Sequence, residues 1–217
     1  GTSGSGSLLV RFNGTTFTEV GGSTVTGVEN FVIDLASGVD TLRYATTANI
    51  SVNLTTGVAT GPSVLAGVEN VTGDQGDDTL TGDGGANILI GNMGSDVLNG
   101  MAGNDTLNAG GANDTLIGGL GDDTMTGGGG SDTFVLGVGF GDDTITDFDA
   151  NPAGTQDFLD VSALGITAAN FAARVSIVDL GASTLITIDG TDTITLTGVN
   201  GNGNNVITQA DFILGGP

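Results

Sequence analysis

GDQGDDTLT (73–81), GDGGANILI (82–90), GNMGSDVLN (91–99), GMAGNDTLN (100–108), AGGANDTLI (109–117), GGLGDDTMT (118–126) and GGGGSDTFV (127–135) are seven consecutive nine-residue units with no break in register. Position 6 is always Asp or Asn: Asp78, Asn87, Asp96, Asp105, Asp114, Asp123 and Asp132. Position 8 is always large and apolar, from Leu80 through Leu116 to Met125 and Phe134. Position 1 is glycine (Gly73, Gly82, Gly91, Gly100, Gly118, Gly127) except Ala109. Position 4 is glycine (Gly76, Gly85, Gly94, Gly103, Gly121, Gly130) except Ala112. A weaker copy precedes the run, VLAGVENVT (64–72). Another follows it, VGFGDDTIT (138–146), with Gly141 and Asp143 at positions 4 and 6 after a two-residue slip. Gly27-Val28-Glu29-Asn30 repeats Gly67-Val68-Glu69-Asn70 further upstream.

Charge is distributed as unevenly as glycine. The 217 residues carry 25 acidic and 3 basic side chains, a net charge of −22. The basic residues are Arg11, Arg43 and Arg174, so none lies between Tyr44 and Ala173. Ten aspartates fall between Gly73 and Val135. This composition argues against nucleic-acid and acidic-membrane partners, which need a basic face, and favours a cation. No Cys or His is present, which excludes disulfides, thiolate chemistry, zinc sites of the usual kind and His-based catalysis. No apolar run is long enough to span a membrane.

A repeat of this length is read before any helix or strand is assigned. Positions 7–9, as in Thr79-Leu80-Thr81, alternate polar and apolar, the pattern of a short strand with one side chain inward. Positions 1–6 are too rich in Gly, Asn and Asp for strand or helix, and glycines at fixed offsets indicate turns with positive φ and close backbone approach. Each unit then reverses the chain once, two units complete a coil, and residues 18 apart stack about 4.8 Å apart. The expected fold is all-β: a parallel β-roll, a β-solenoid, with a single-residue-deep apolar ladder at position 8.

The same stacking aligns the position 6 side chains in two rows. One holds Asp78, Asp96, Asp114 and Asp132; the other holds Glu69, Asn87, Asp105, Asp123 and Asp143. Like charges about 5 Å apart repel by a few kcal/mol per pair at an effective dielectric near 20. A hard divalent cation between neighbours reverses that sign. Calcium takes six to eight oxygens, backbone carbonyls included, at about 2.3–2.6 Å, whereas magnesium demands a tight octahedron and keeps its waters. Roughly six sites follow, in the gaps 78/96, 96/114, 114/132, 87/105, 105/123 and 123/143.

These units resemble the GGxGxDxUx nonapeptides of RTX proteins, the calcium-binding parallel β-roll; Gly118-Gly119-Leu120-Gly121-Asp122-Asp123-Thr124-Met125-Thr126 is the best single copy. The resemblance implies calcium held by the position 6 carboxylates and by carbonyls of the glycine turns. The candidate metal residues are thus those at positions 1, 4 and 6 named above, together with Gly119, Gly128 and Asn113. It also implies type I (ABC-transporter) export with an uncleaved C-terminal signal, and folding delayed until the chain meets extracellular calcium. Ala109 and Ala112 stand where glycine is expected and Asn87 lacks a charge, so sites on those loops are expected to be weaker or absent.

The flanks divide the chain into four parts. Residues 1–7 read as a flexible linker, 8–63 as an N-terminal β cap of less regular coils, 64–146 as the roll and 147–217 as a β-rich C-terminal cap. In the last, Leu185–Ile188 and Thr193–Leu196 around Asp189-Gly190 read as a hairpin. Thr167 reads as the cap of a short helix through Ala173, and Thr208 as the cap of a last turn. Asp147, Asp149 and Asn151 form a DxDxN string that is a further candidate calcium cradle. Asp211-Phe212-Ile213-Leu214, an acidic residue followed by three hydrophobics, resembles the export signal of type I-secreted proteins. The expected function is a non-catalytic calcium-binding module that folds on secretion. An adhesin or surface-layer module on the same roll is the alternative, and a carboxylate-dependent polysaccharide-acting enzyme is a weaker one.

Overall fold

The computed structural model describes residues 7–12, 17–19, 32–34, 39, 41–44, 48–60, 64–151, 154–199 and 206–216. The linker reading at 1–7 and the Gly27–Asn30 repeat lie outside the described residues, except Ser7, which opens the first strand. The N-terminal strands are β1 (Ser7–Phe12), β2 (Phe17–Glu19), β3 (Val32–Asp34), β4 (Thr41–Tyr44), β5 (Ser51–Asn53), β6 (Val58–Ala59), β7 (Val64–Ala66) and β8 (Asn70–Thr72). The repeat supplies β9 (Thr79–Thr81), β10 (Ile88–Met93), β11 (Val97–Ala102), β12 (Thr106–Gly111), β13 (Thr115–Leu120), β14 (Thr124–Gly129), β15 (Thr133–Val135) and β16 (Asp142–Ile145). The C-terminal region adds β17 (Phe158–Asp160), α1 (Phe171–Arg174), β18 (Val175–Asp179), β19 (Ser183–Ile188), β20 (Asp192–Thr197) and β21 (Phe212–Ile213).

Alternate strands go to opposite sheets. Among the described residues one large sheet runs β18-β19-β20-β16-β14-β12-β10-β8-β4-β1-β2, a second β21-β17-β15-β13-β11-β9-β5-β6, and β3 pairs with β7 in a small third. Within the roll every pairing is parallel, with Leu89 beside Leu107, Leu107 beside Met125, and Leu98 beside Leu116. The 18-residue coil expected from the spacing is therefore the observed one. Leu80, Leu89, Leu98, Leu107, Leu116, Met125 and Phe134 are completely buried between the sheets, each stabilising the fold by roughly 1.5–3 kcal/mol through lost apolar exposure.

Two local expectations are corrected. Strands β10 to β14 continue through positions 1–3 of the following unit, where glycine content had argued for turn alone; these residues pair in parallel with neighbouring coils. Positive φ falls at positions 2 and 4, not at position 1: Asn92, Met101, Gly110, Gly119 and Gly128 at the former, and Gly94, Gly103, Ala112, Gly121 and Gly130 at the latter. Ala112 thus sits at φ 89°, a strain on the order of 1 kcal/mol, whereas Ala109 is outside that region and carries no such strain.

The flanks extend the stack. β4 pairs parallel with β8 and β5 with β9 at one end, while β17 pairs with β15 and β20 with β16 at the other. The hairpin β19–β20 forms as expected, through Asp189 at φ 54° and Gly190 at φ 77°. Thr208 caps its turn, accepting from the Ala210 N–H, with Asp211 completing a capping box. Thr167 does not cap α1: the helix begins at Phe171 after Asn170, whose Oδ1 accepts from the Thr167 N–H. No helix among the described residues is long and apolar enough to cross a membrane.

Candidate metal centre

Each position 6 residue is held at three points by its neighbours along the stack. Its N–H donates to the Oδ1 of the position 6 residue one coil further on: Asp78 to Asp96, Asp96 to Asp114, Asp114 to Asp132 in one row, Asn87 to Asp105, Asp105 to Asp123, Asp123 to Asp143 in the other, all at 2.7–2.9 Å. Its carbonyl accepts from the N–H of position 7 one coil on, as Asp96 does from Thr115 and Asp105 does from Thr124, at 2.8 and 2.9 Å. Except at Asn87, its Oδ1 is used by the coil before. That leaves Oδ2. At Asp96, Asp105, Asp114, Asp123, Asp132 and Asp143 this atom is buried and no group donates to it, although the residues themselves are at most 2% exposed.

A buried, unpartnered carboxylate oxygen is strongly unfavourable. Desolvation pushes Asp96 up to about 6, Asp105 and Asp114 to about 7 and Asp143 to about 8, against the lowering effect of the backbone N–H bond each accepts; neighbouring carboxylates add to the rise. Burial likewise raises Asp78, Asp123 and Asp132.

Position 1 shows what the space beside Oδ2 is for. A Cβ built on Gly91 would collide with Asp96 Oδ2 and lie 2.7 Å from the Ala109 carbonyl oxygen of the next coil. On Gly100 it would collide with Asp105 Oδ2 and lie 2.6 Å from the Gly118 carbonyl oxygen. Gly73, Gly91 and Gly100 thus sit where a carboxylate oxygen and a carbonyl oxygen of the next coil converge, while Gly118 and Gly127 face the Asp123 and Asp132 carboxylates. Position 4 is glycine for a different reason: a Cβ on Gly103 would lie 2.6 Å from the Gly85 carbonyl oxygen, and those on Gly94, Gly121, Gly130 and Gly141 would clash with the carbonyls of Gly76, Gly103, Ala112 and Gly121. Among the described residues no three carboxylates meet at one point, so an ion here takes most of its ligands from the main chain. Oxygen-only donors, several of them carbonyls, fit calcium.

Several expected ligands are otherwise engaged. The Gly82 carbonyl, an expected ligand, accepts from the Thr55 hydroxyl at 2.9 Å. The oxygen beside Gly82 is also not a carboxylate but Asn87 Oδ1, which already accepts from the Asp83 N–H at 2.8 Å. The N-terminal coil supplies Thr55, and no feature of the repeat announces it. Asn113 Oδ1 accepts from the Ser131 N–H at 2.9 Å, one rung of a position 5 ladder. Asp147 accepts from the N–H groups of Gly127 and Gly128 at 3.0 and 2.7 Å, and Asp149 Oδ1 from the Asn151 N–H at 2.8 Å. Glu69 enters its row through its carbonyl, which accepts from Asn87 Nδ2. The structure also adds a member. Asp157 continues the first row, its Oδ1 accepting from the Asp132 N–H at 2.8 Å and its Oδ2 from the Asp149 N–H at 2.8 Å. The signal was present in Asp157-Phe158-Leu159, which keeps the Asp-x-apolar spacing of positions 6–8 with Leu159 beside Phe134. A seven-residue excess over the 18-residue coil hides it.

Two facing parallel sheets joined by glycine turns, with oxygen rows on both edges, define a metal-binding β-roll. The matching family model is the RTX calcium-binding nonapeptide repeat, found in four copies at residues 65–98, 72–107, 99–134 and 108–145. Residues 65–145 are RTX nonapeptide repeats, a calcium-binding structural unit. Similar solved structures include the R3 and R2 subunits of AlgE6, the Azotobacter vinelandii mannuronan C5-epimerase. The R3 subunit is 29% identical over 64% of this chain and 78% of its own (TM-score 0.34). The R2 subunit is 27% identical over 68% and 94% (TM-score 0.36). The extracellular lipase LipA of Serratia marcescens is 18% identical, covering 99% of this chain and 39% of the lipase (TM-score 0.37). No curated protein matches the chain.

Gly100→Val tests the spot beside position 1. The branched side chain fills the convergence point of Asp105 Oδ2 and the Gly118 carbonyl. The calcium concentration needed for half-folding, read by circular dichroism, is expected to rise about tenfold, the equivalent of 1.4 kcal/mol. Folding at the wild-type concentration would show that this spot holds nothing.

Proposed function

We propose that the chain is a non-catalytic calcium-binding module of a secreted protein, exported by a type I system and folded by the calcium it meets outside the cell. The observation that carries this reading is the set of buried Oδ2 atoms on both edges, with no donor to any of them and no Lys, Arg or His between Tyr44 and Ala173. A chain built in this way is self-repelling where divalent cations are scarce and compact where they are plentiful. Extracellular-type sites bind at roughly 10⁻⁴–10⁻³ M, so they stay empty in a low-calcium cytosol. Absence of cysteine makes the fold indifferent to redox compartment.

The C-terminal Asp211–Leu214 would serve export in the unfolded chain. Once folded, Asp211 is buried, its Oδ1 accepting from Gln156 Nε2 and its Oδ2 from the Thr208 N–H. Phe212 packs edge-on against Phe171 at 4.8 Å between ring centroids, and Ile213 pairs with Asp160. A segment so engaged is accessible to a transporter only before the cap forms.

Isothermal titration tests the metal reading. Calcium is expected to bind to multiple sites with dissociation constants in the range of about 10⁻⁴–10⁻³ M, and magnesium at the same concentration to give no comparable heat. Equal binding of both ions, or of neither, overturns the proposal.

A further inference from the structure

The units from 73 to 146 fall into two sets by the backbone at position 2. Asn92, Met101, Gly110, Gly119, Gly128 and Gly139 all have positive φ there, between 74° and 115°. Asp74 and Asp83, at the same position of the first two units, do not. In those two units the position 2 N–H points into the turn. It donates from Asp74 to Asp78 Oδ2 at 3.3 Å and from Asp83 to Asn87 Oδ1 at 2.8 Å. In the six units with positive φ the position 6 Oδ2 has no donor. The correspondence holds unit by unit, and it links two independent observations, a backbone conformation and an unsatisfied buried oxygen.

We infer that the sign of φ at position 2 selects which turns take calcium, an inference that rests on the calcium reading proposed above. A main-chain N–H aimed at Oδ2 uses the lone pair an ion would need and presents a partial positive charge to it. Turning the peptide over removes that donor and leaves the oxygen free for a cation. Glycine adopts the required φ without strain and Asn with little, whereas Asp74 and Asp83 keep ordinary backbone and close their turns. Asn87 also donates through Nδ2 to the Glu69 carbonyl of the coil before, at 2.7 Å, which a carboxylate cannot do.

The consequence is a displaced set of ions. The gaps 78/96 and 87/105 are closed. The gaps 96/114, 114/132, 105/123 and 123/143 are open, and the free oxygens of Asp132 and Asp143 add one site each toward the C-terminal cap. The total is again six, shifted one coil along the stack from the gaps that spacing alone suggests.

Crystals grown in calcium and measured for its anomalous scattering locate the ions directly. Six peaks are expected beside the six free oxygens, with none beside Asp78 or Asn87; a peak at either of these overturns the inference. In solution, equilibrium dialysis against radioactive calcium at a saturating concentration counts ions per chain. Asn87→Asp alone should stay at six, because the Asp83 N–H still fills the turn. Asn87→Asp with Asp83→Gly should rise to seven. A gain in the single variant, or a folded double variant still at six, also overturns it. Should the double variant not fold, the peak positions in the wild type decide. A wild-type chain that binds no calcium overturns instead the reading on which the inference rests.

Discussion

Stripped of divalent cations by a chelator, the protein is expected to lose most of its β-sheet signal in the far-ultraviolet circular dichroism spectrum, and millimolar calcium is expected to restore it where magnesium does not. The size of the effect follows from how the roll is held together. Its core between the sheets is one side chain deep on each side, the ladder from Leu80 to Phe134, and from 73 to 135 positions 1–6 add only Ala109 to the buried apolar residues. Against this stand the buried carboxylate oxygens with no donor. At about 1 mM calcium a site with a dissociation constant near 10⁻⁴ M stabilises the folded state by roughly 1.4 kcal/mol, so six sites contribute on the order of 8 kcal/mol. A domain of this size is typically stable by about 5–15 kcal/mol in all. Removing the ions therefore moves the chain across its folding midpoint. A calcium-free spectrum already rich in β-structure and unchanged by calcium would refute the account.

Acid is expected to do part of calcium's work. In the metal-free chain the folded-state values of Asp96, Asp105, Asp114 and Asp143 are raised to about 6, 7, 7 and 8, while the unfolded values lie near 3.9. A group whose value is raised on folding binds protons more tightly in the folded state. The stability it contributes is present in full below the unfolded value and is lost as pH rises through the folded one. Between pH 5 and pH 8 the metal-free roll should therefore become progressively less stable, opposite to a protein held by ion-paired carboxylates. Four groups titrating together make the change steep. A chelated sample followed by circular dichroism should gain sheet on acidification from pH 8 toward pH 5, and the calcium-loaded sample should show little dependence over the same range. A metal-free chain equally unfolded at both ends, or one that loses structure toward pH 5, would show that the Oδ2 atoms are not what opposes folding.

What could be read from residues alone was whatever the nine-residue period carries. Gly at positions 1 and 4, Asp at 6 and an apolar residue at 8 imply a coil of two units, and a strictly repeated pattern has one way to stack. Hence the parallel sheets, the buried ladder and the two rows of aspartates were legible without coordinates. The hairpin at Asp189-Gly190 and the Thr208 cap were legible too, because their signals are local.

Other features depended on contacts between coils, which no local pattern encodes. Position 1 is glycine because a carboxylate and a carbonyl from the adjoining coil converge where its Cβ would be, not because of its φ; both readings predict the same letter. Gly82 carries that letter too, yet its carbonyl is taken by Thr55, 27 residues away. Asp157 belongs to the first row although 25 residues separate it from Asp132, since a row is defined by hydrogen bonds between coils and tolerates an insertion between them. Asp147 and Asp149 accept from backbone N–H groups of Gly127, Gly128 and Asn151, bonds that no spacing in the sequence announces. A roll with oxygen donors along both edges follows from the residues without coordinates, because periodicity sets which of them stack. The tertiary structure alone decided which of those oxygens remain unsatisfied, because that depends on where each main-chain N–H points, and a single peptide's orientation is set by the coils that enclose it.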